Sequence, residues 1–126
     1  MAKKHFCIAI FLTLSLALTG CATNLGVYDA SVPQQRLCTL KTDPKLFIRK
    51  FNGDKVNWNQ SFPQLGVVVQ IPAGRHTFLI DYVAKGSIRT DYAYDIRYSH
   101  TFEAGKIYIM EPTVSGNRVS IVVKTE

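Results

Sequence analysis

Two histidines beyond the N-terminal segment, His76 and His100, could pair with Asp81 or Ser99 in a hydrolytic relay. A hydroxyl becomes a nucleophile only when a base is held beside it, and no G-x-S-x-G elbow or comparable motif does so here. His100 falls on the apolar side of an alternating stretch, where a hydrogen-bonded core or edge histidine is expected, and His76 follows a turn and begins a strand. A zinc site needs at least three convergent ligands, and two histidines with one free cysteine at no characteristic spacing do not supply them. Asp91 and Asp95, with Asp81, offer oxygens to calcium, but the D-x-[DN]-x-[DN]-G loop is missing and solvated charges on a polar face account for them. A glycosidase needs two carboxylates at a defined separation, which no motif here enforces. Trp58 between Asn57 and Asn59 is the remaining candidate: an aromatic plane with amide neighbours can stack a sugar ring, and Tyr92, Tyr94 and Tyr98 could extend the platform. The plainer role for Trp58 is a large ring covering one edge of the core, and the alternation of the tyrosines fits core packing better. The expectation is no catalytic residue, no metal and no cofactor, with Trp58 the glycan contact if there is one.

The N-terminus carries chemistry of another kind. Lys3 and Lys4 precede an apolar run from Phe6 to Leu18, which leads into Leu18-Thr19-Gly20-Cys21. A basic start, a short apolar stretch and small residues before a cut site describe a secretory signal. The run is too short to span a bilayer core as a helix, which takes about 20 residues. Leu18-Thr19-Gly20-Cys21 resembles the lipobox of bacterial lipoproteins. That resemblance implies lipidation of Cys21 through a diacylglycerol thioether, usually with a third, amide-linked chain, and so a membrane as the first partner. Two chains already hold a protein stably on a bilayer. Ala22 stands where Asp would signal inner-membrane retention, so the resemblance favours the outer membrane if the host is Gram-negative. The expected divisions are residues 1–20 as signal peptide, 21–36 as lipidated N-terminus and tether, and 37–126 as one domain, since the rest of the chain is too short for two.

Without residues 1–20, Lys plus Arg falls from 15 to 13 against 9 Asp plus Glu, and the formal charge from +6 to +4. The basic residues are scattered, with Arg49-Lys50 the single adjacent pair, so the charge reads as solubility, and no nucleic acid partner is expected outside the cytoplasm. Cys7 leaves with the signal and Cys21 carries lipid, which leaves Cys38 without an intramolecular partner. In Leu37-Cys38-Thr39-Leu40 it reads as a small buried hydrophobe, in preference to a reactive thiol or an intermolecular bridge.

The elements that must position these residues are strands. Residues 22–34 read as a tether with at most a short strand at Leu25 to Tyr28. Lys45 to Phe51, Asn52-Gly53 and Lys55 to Trp58 read as a hairpin, because a type I′ turn needs positive φ at both central residues. Val67 to Ile71 is short and β-branched. Pro72-Ala73-Gly74 turns the chain into His76 to Ala84, which Lys85-Gly86 ends. From Ile88 to Glu103 apolar and polar residues alternate strictly, with Ile88, Tyr92, Tyr94, Ile96, Tyr98, His100 and Phe102 on one face. One strand of that length would be unusual, so two strands are expected, joined by a phase-preserving bend or bulge near Asp91 to Asp95. Lys106 to Glu111 and Arg118 to Lys124 are further strands, with Pro112 to Asn117 a loop. Roughly seven to eight short strands predict an all-β fold, a small antiparallel β-sandwich.

Ile71-Pro72-Ala73-Gly74-Arg75-His76-Thr77-Phe78, Asp81-Tyr82 and Phe102-Glu103-Ala104-Gly105-Lys106-Ile107-Tyr108 resemble small bacterial lipoproteins and, more distantly, the PEGA-type surface β-domains. The match spans roughly Leu65 to Val123. It implies a surface β-domain and carries over no catalytic residue. The function expected is a lipid-anchored, non-enzymatic accessory or interaction module of the bacterial envelope, meeting an envelope protein or a cell-wall glycan. The alternatives are a glycan- or peptidoglycan-binding module and, further off, a small hydrolase.

Overall fold

The computed structural model describes residues 23–59 and 66–126. Cys7, Cys21 and the lipobox lie outside the described residues. Among the described residues there are nine strands: β1 (Thr23–Val27), β2 (Leu37–Thr42), β3 (Leu46–Phe51), β4 (Asp54–Lys55), β5 (Val67–Pro72), β6 (Gly74–Lys85), β7 (Thr90–Phe102), β8 (Ile107–Ser115) and β9 (Arg118–Thr125). A single 3-10 turn, Gln34–Arg36, precedes β2. They form a five-stranded sheet in the order β1-β5-β2-β8-β9 and a four-stranded sheet in the order β4-β3-β6-β7. The fold is the expected all-β sandwich, with two differences. There are nine strands, and the larger sheet is mixed, because β1 runs parallel to β5 and β2 parallel to β8.

Alternation explains the core. β5 and β2 bury every second residue, so Val67, Val69 and Ile71 lie beside Cys38 and Leu40. β3 and β6 answer from the other sheet with Leu46, Ile48, Phe78 and Ile80. Each such side chain contributes roughly 1.5–3 kcal/mol when fully buried. The Asn52-Gly53 turn forms as expected, with φ of 52° and 86°, though the returning strand is only Asp54–Lys55. Gly66 is required for space: a Cβ there would strike the Thr42 carbonyl, whose residue also accepts the Val67 N–H through Oγ1 at 3.1 Å.

Three boundaries differ from expectation for identifiable reasons. Strand pairing into the sandwich begins ahead of residue 37, at Thr23. β1 pairs along β5 through its backbone, with residues 24–27 exposed, so no apolar alternation announces it. Tyr28 then sets its ring edge-on to Phe51, with centroids 4.9 Å apart. β8 continues through Pro112 to Ser115, where a loop is expected. Its pairing with β2 ends at Met110, and beyond that point β9 lies on one side only, so a residue without an N–H is tolerated. Finally, β7 is one continuous strand where two were expected, because the bulge keeps its pairing with β6 unbroken; the bulge lies where expected but reverses the phase. Ile80 faces Ile96 and Tyr82 faces Ala93, so Asp81 stands opposite two residues, Tyr94 and Asp95.

The registers define two ends. Thr23 pairs with Val67, Val68 with Lys41, and Thr42 with Met110, and the chain turns through Asp43 into Leu46 at the same level. Past this end project the β6–β7 hairpin, from Tyr82 to its turn at Gly86–Arg89, and the β8–β9 hairpin, from Met110 to its turn at Gly116-Asn117. The turns at Gly53, Gly74 and Gly105 lie at the opposite end.

Candidate binding surface

Two bulges on the strands that flank β6 build the most organised polar cluster on the surface. In β3, Arg49 is the extra residue between Ile48, which faces Ile80, and Lys50, which faces Leu79. In β7, Asp95 takes a left-handed conformation, φ 59°, which Asp tolerates better than most residues. Both extra residues turn toward Asp81 between them. The Arg49 guanidinium donates to Asp95 Oδ1 at 2.7 Å and to Asp81 Oδ1 at 3.4 Å, and the Asp95 N–H donates to Asp81 Oδ1 at 3.0 Å. The charge of Asp81 and the hydrogen bonds to both carboxylates raise the Arg49 pKa above its ordinary value.

Asp81 and Asp95 are thus brought together as two of the oxygen donors a cation would want, with a guanidinium already set between them. Asp91 is elsewhere, 3.2 Å from Arg89. Among the described residues no group of three or more His, Cys, Asp or Glu is arranged to hold a metal.

Reversal of phase has its main consequence at Tyr92 and Tyr94. Expected in the core, they are 57% and 60% exposed and stacked on each other, with centroids 5.6 Å apart and planes at 28°. Ala93 takes the inward place, packed against the core beside Tyr82. Tyr98, on the other side of the bulge, keeps its expected side and stacks on His100, with planes at 13°.

The histidines are committed to structure. His76 is buried; its Nε2–H donates to the Pro72 carbonyl at 2.6 Å and its Nδ1 accepts from Asn52 Nδ2 at 2.9 Å, the tautomer following from those partners. Its ring also lies 4.8 Å from that of Phe51. His100, directly opposite on β7, meets Phe102 and Tyr108 edge-on and Tyr98 Oη at 3.3 Å. Ser99 faces outward and shares a hydrogen bond with Thr77 at 2.9 Å, on the opposite side of the sheet from His100.

Trp58 is placed by the core and is 8% exposed. Tyr28 stands edge-on to it at 5.9 Å and Phe51 lies at 5.5 Å, so both neighbours contest any ring that would stack there. Trp58 takes the plainer of its two roles: it closes the end of an aromatic series running through Phe51 to Phe78. Asn59 was noticed in the sequence only as a neighbour of Trp58, yet its side chain accepts the Ile48 N–H at 3.0 Å and donates to the Leu46 carbonyl at 3.1 Å. It pairs the edge of β3 as a further strand would. Beside it, Phe47, Arg49, Lys50, Lys55 and Asn57 line a groove of about 460 Å³.

Cys38 is the small buried hydrophobe expected. Its thiol donates to the Ile71 carbonyl at 3.5 Å, and burial pushes its pKa up to about 11. Alkylation by iodoacetamide near pH 8 is expected to be at least ~100-fold slower in native protein than in denaturant, because both thiolate and access are missing. Mass spectrometry after timed quenching measures this.

No known protein family matches the chain, and no curated protein matches it either. Among solved structures it is similar to the C-terminal domain of AlgF from P. aeruginosa, at 18% identity over 75% of this chain and 100% of that one, with a TM-score of 0.42.

Proposed function

We propose that this chain is a lipid-anchored, non-enzymatic interaction module of the bacterial envelope. The observation that carries the reading is Cys21 in its Leu-Thr-Gly-Cys setting, directly ahead of a folded domain whose first strand starts at Thr23. A catalytic role draws no support from the groups best suited to it. His76 spends both ring nitrogens on Asn52 and Pro72, His100 packs on Phe102 and Tyr108 with Nδ1 against Tyr98 Oη, Cys38 holds its proton, and Arg49 already pairs with both carboxylates of the surface cluster.

The test is chemical. Acyl label from palmitate should enter the full chain expressed in a bacterium, and the N-terminal peptide of the mature form should carry a diacylglycerol thioether on Cys21. Cys21→Ser should lose the label completely and keep residues 1–20. An unmodified Cys21 in membrane-associated protein would refute the anchor.

Glycan binding is the second reading, and one observation favours it: the stacked, exposed Tyr92–Tyr94 pair, which offers the aromatic surface that Trp58 does not. Retention of the protein on purified peptidoglycan, lost in Tyr92→Ala with Tyr94→Ala, would put it first.

A further inference from the structure

The end of the sandwich nearest the N-terminus is unlike the rest of its surface. Ile88, at the turn of the β6–β7 hairpin, is 95% exposed, and Val114, beside the turn of the β8–β9 hairpin, is 54% exposed. The two turns are neighbours, since Arg89 and Asp91 of one and Gly116 and Asn117 of the other line the same cleft of about 260 Å³. Lys85 and Arg89 flank the first turn and Arg118 the second, with Lys45 beside Val83 at the base of the first hairpin. Against these stand Asp91, paired with Arg89, and Asp43, which caps the Lys45 backbone N–H at 2.8 Å. All nine acidic residues of the chain lie among the described ones, and none is paired with Lys85 or Arg118. Protruding aliphatic tips within a basic collar suit an anionic bilayer surface: the tips enter the head-group boundary and the cations meet phosphates.

Chain geometry points the same way. Cys21 is two residues from Thr23, and two extended residues reach at most ~7 Å. From Met110 to Ser115 the β8–β9 hairpin runs past that level by roughly 16 Å at ~3.3 Å per residue. A domain on so short a leash cannot hold its longer hairpins clear of the lipid unless it leans away from them, and the exposed Ile88 and Val114 favour contact. We infer that the two hairpin tips, Ile88 and Val114 with Lys85, Arg89, Arg118 and Lys45, form a second membrane contact that sets the domain's orientation on an anionic bilayer. The leash in this inference rests on the anchored reading above; the composition of the tips does not.

The experiment therefore has an arm without lipid. Residues 21–126, expressed without the signal and carrying Cys21→Ser, are sedimented with vesicles of phosphatidylethanolamine and phosphatidylglycerol, and with vesicles of phosphatidylcholine alone. Binding is expected on the anionic vesicles, weakened at least ~10-fold by Ile88→Asp with Val114→Asp, and unaffected by Thr101→Asp at the opposite end. In the second arm, Ile88→Trp in the lipidated protein is expected to be quenched by brominated lipid, while Thr101→Trp is not. Equal binding by the tip variant, no binding to anionic vesicles, or equal quenching at both ends overturns the inference. So does a tip variant that loses an envelope protein partner while the unsubstituted chain ignores vesicles. An unmodified Cys21 would sink the anchor alone and leave the vesicle result to stand by itself.

Discussion

Trp58→Ala is expected to lower the free energy of unfolding by about 3–5 kcal/mol. Folded domains of this kind are stable by roughly 5–15 kcal/mol, so the loss takes much of the margin. The ring is 8% exposed and lies against Phe51 and Tyr28, which itself follows the edge strand β1. Removing it leaves a cavity under Tyr28 and takes away a partner that helps hold β1 to the sandwich. Trp58→Phe keeps an aromatic in the gap and is expected to cost no more than about half as much. Because Trp58 is the sole tryptophan, unfolding is best followed in urea by circular dichroism. A midpoint unchanged in Trp58→Ala, with retention on peptidoglycan lost, would mean that the ring serves a ligand and not the core.

Trp58 also shows where residue type misleads. Its amide neighbours looked like a polar setting for a surface ring, yet Asn57 and Asn59 do different work: Asn57 lines the groove, and Asn59 turns inward to the backbone of β3. A buried amide serving a strand edge has no sequence pattern, because the partner groups belong to the main chain. β1 was obscure for a related reason. Strands that lean on a neighbour through backbone hydrogen bonds, with side chains in water, do not show the alternation that marks β7.

What could be read was local and periodic: the Asn52-Gly53 turn, the β-branched run of β5, the long alternation of β7 and the buried character of Cys38. The bulge could be placed between Asp91 and Asp95 from length alone. Its phase could not, because phase depends on whether one residue of β6 faces one or two of β7, and strand pairing is not written in β7 itself. That single extra residue moves Tyr92 and Tyr94 to the outside and sets Asp95 over Asp81. Charge type could suggest Asp81 and Asp95 as a cation site, while only the opposing bulge in β3 delivers Arg49 to fill it.

Asn59→Ala is the second large effect. It removes one acceptor and one donor at once, leaving the Ile48 N–H and the Leu46 carbonyl unpaired on a strand whose other side is fully engaged by β6. Each buried, unsatisfied backbone group costs about 1–3 kcal/mol. Water entering from the adjoining groove relieves part of that, so the net loss is expected near 2–4 kcal/mol. Asn59→Asp separates the two bonds. Its carboxylate still accepts from Ile48 but faces the Leu46 carbonyl oxygen to oxygen, which raises the folded-state pKa of the new acid above its unfolded value. The folded form then binds the extra proton more readily, so stability falls as pH rises from the unfolded pKa through the folded one. Asn59→Asp should therefore lose its deficit progressively in acid, where a protonated carboxyl can donate to Leu46, while Asn59→Ala keeps a constant deficit relative to the unsubstituted chain. Parallel urea titrations of both variants across that range separate the donor from the acceptor. Equal deficits at every pH would show that the donated bond to Leu46 contributes nothing.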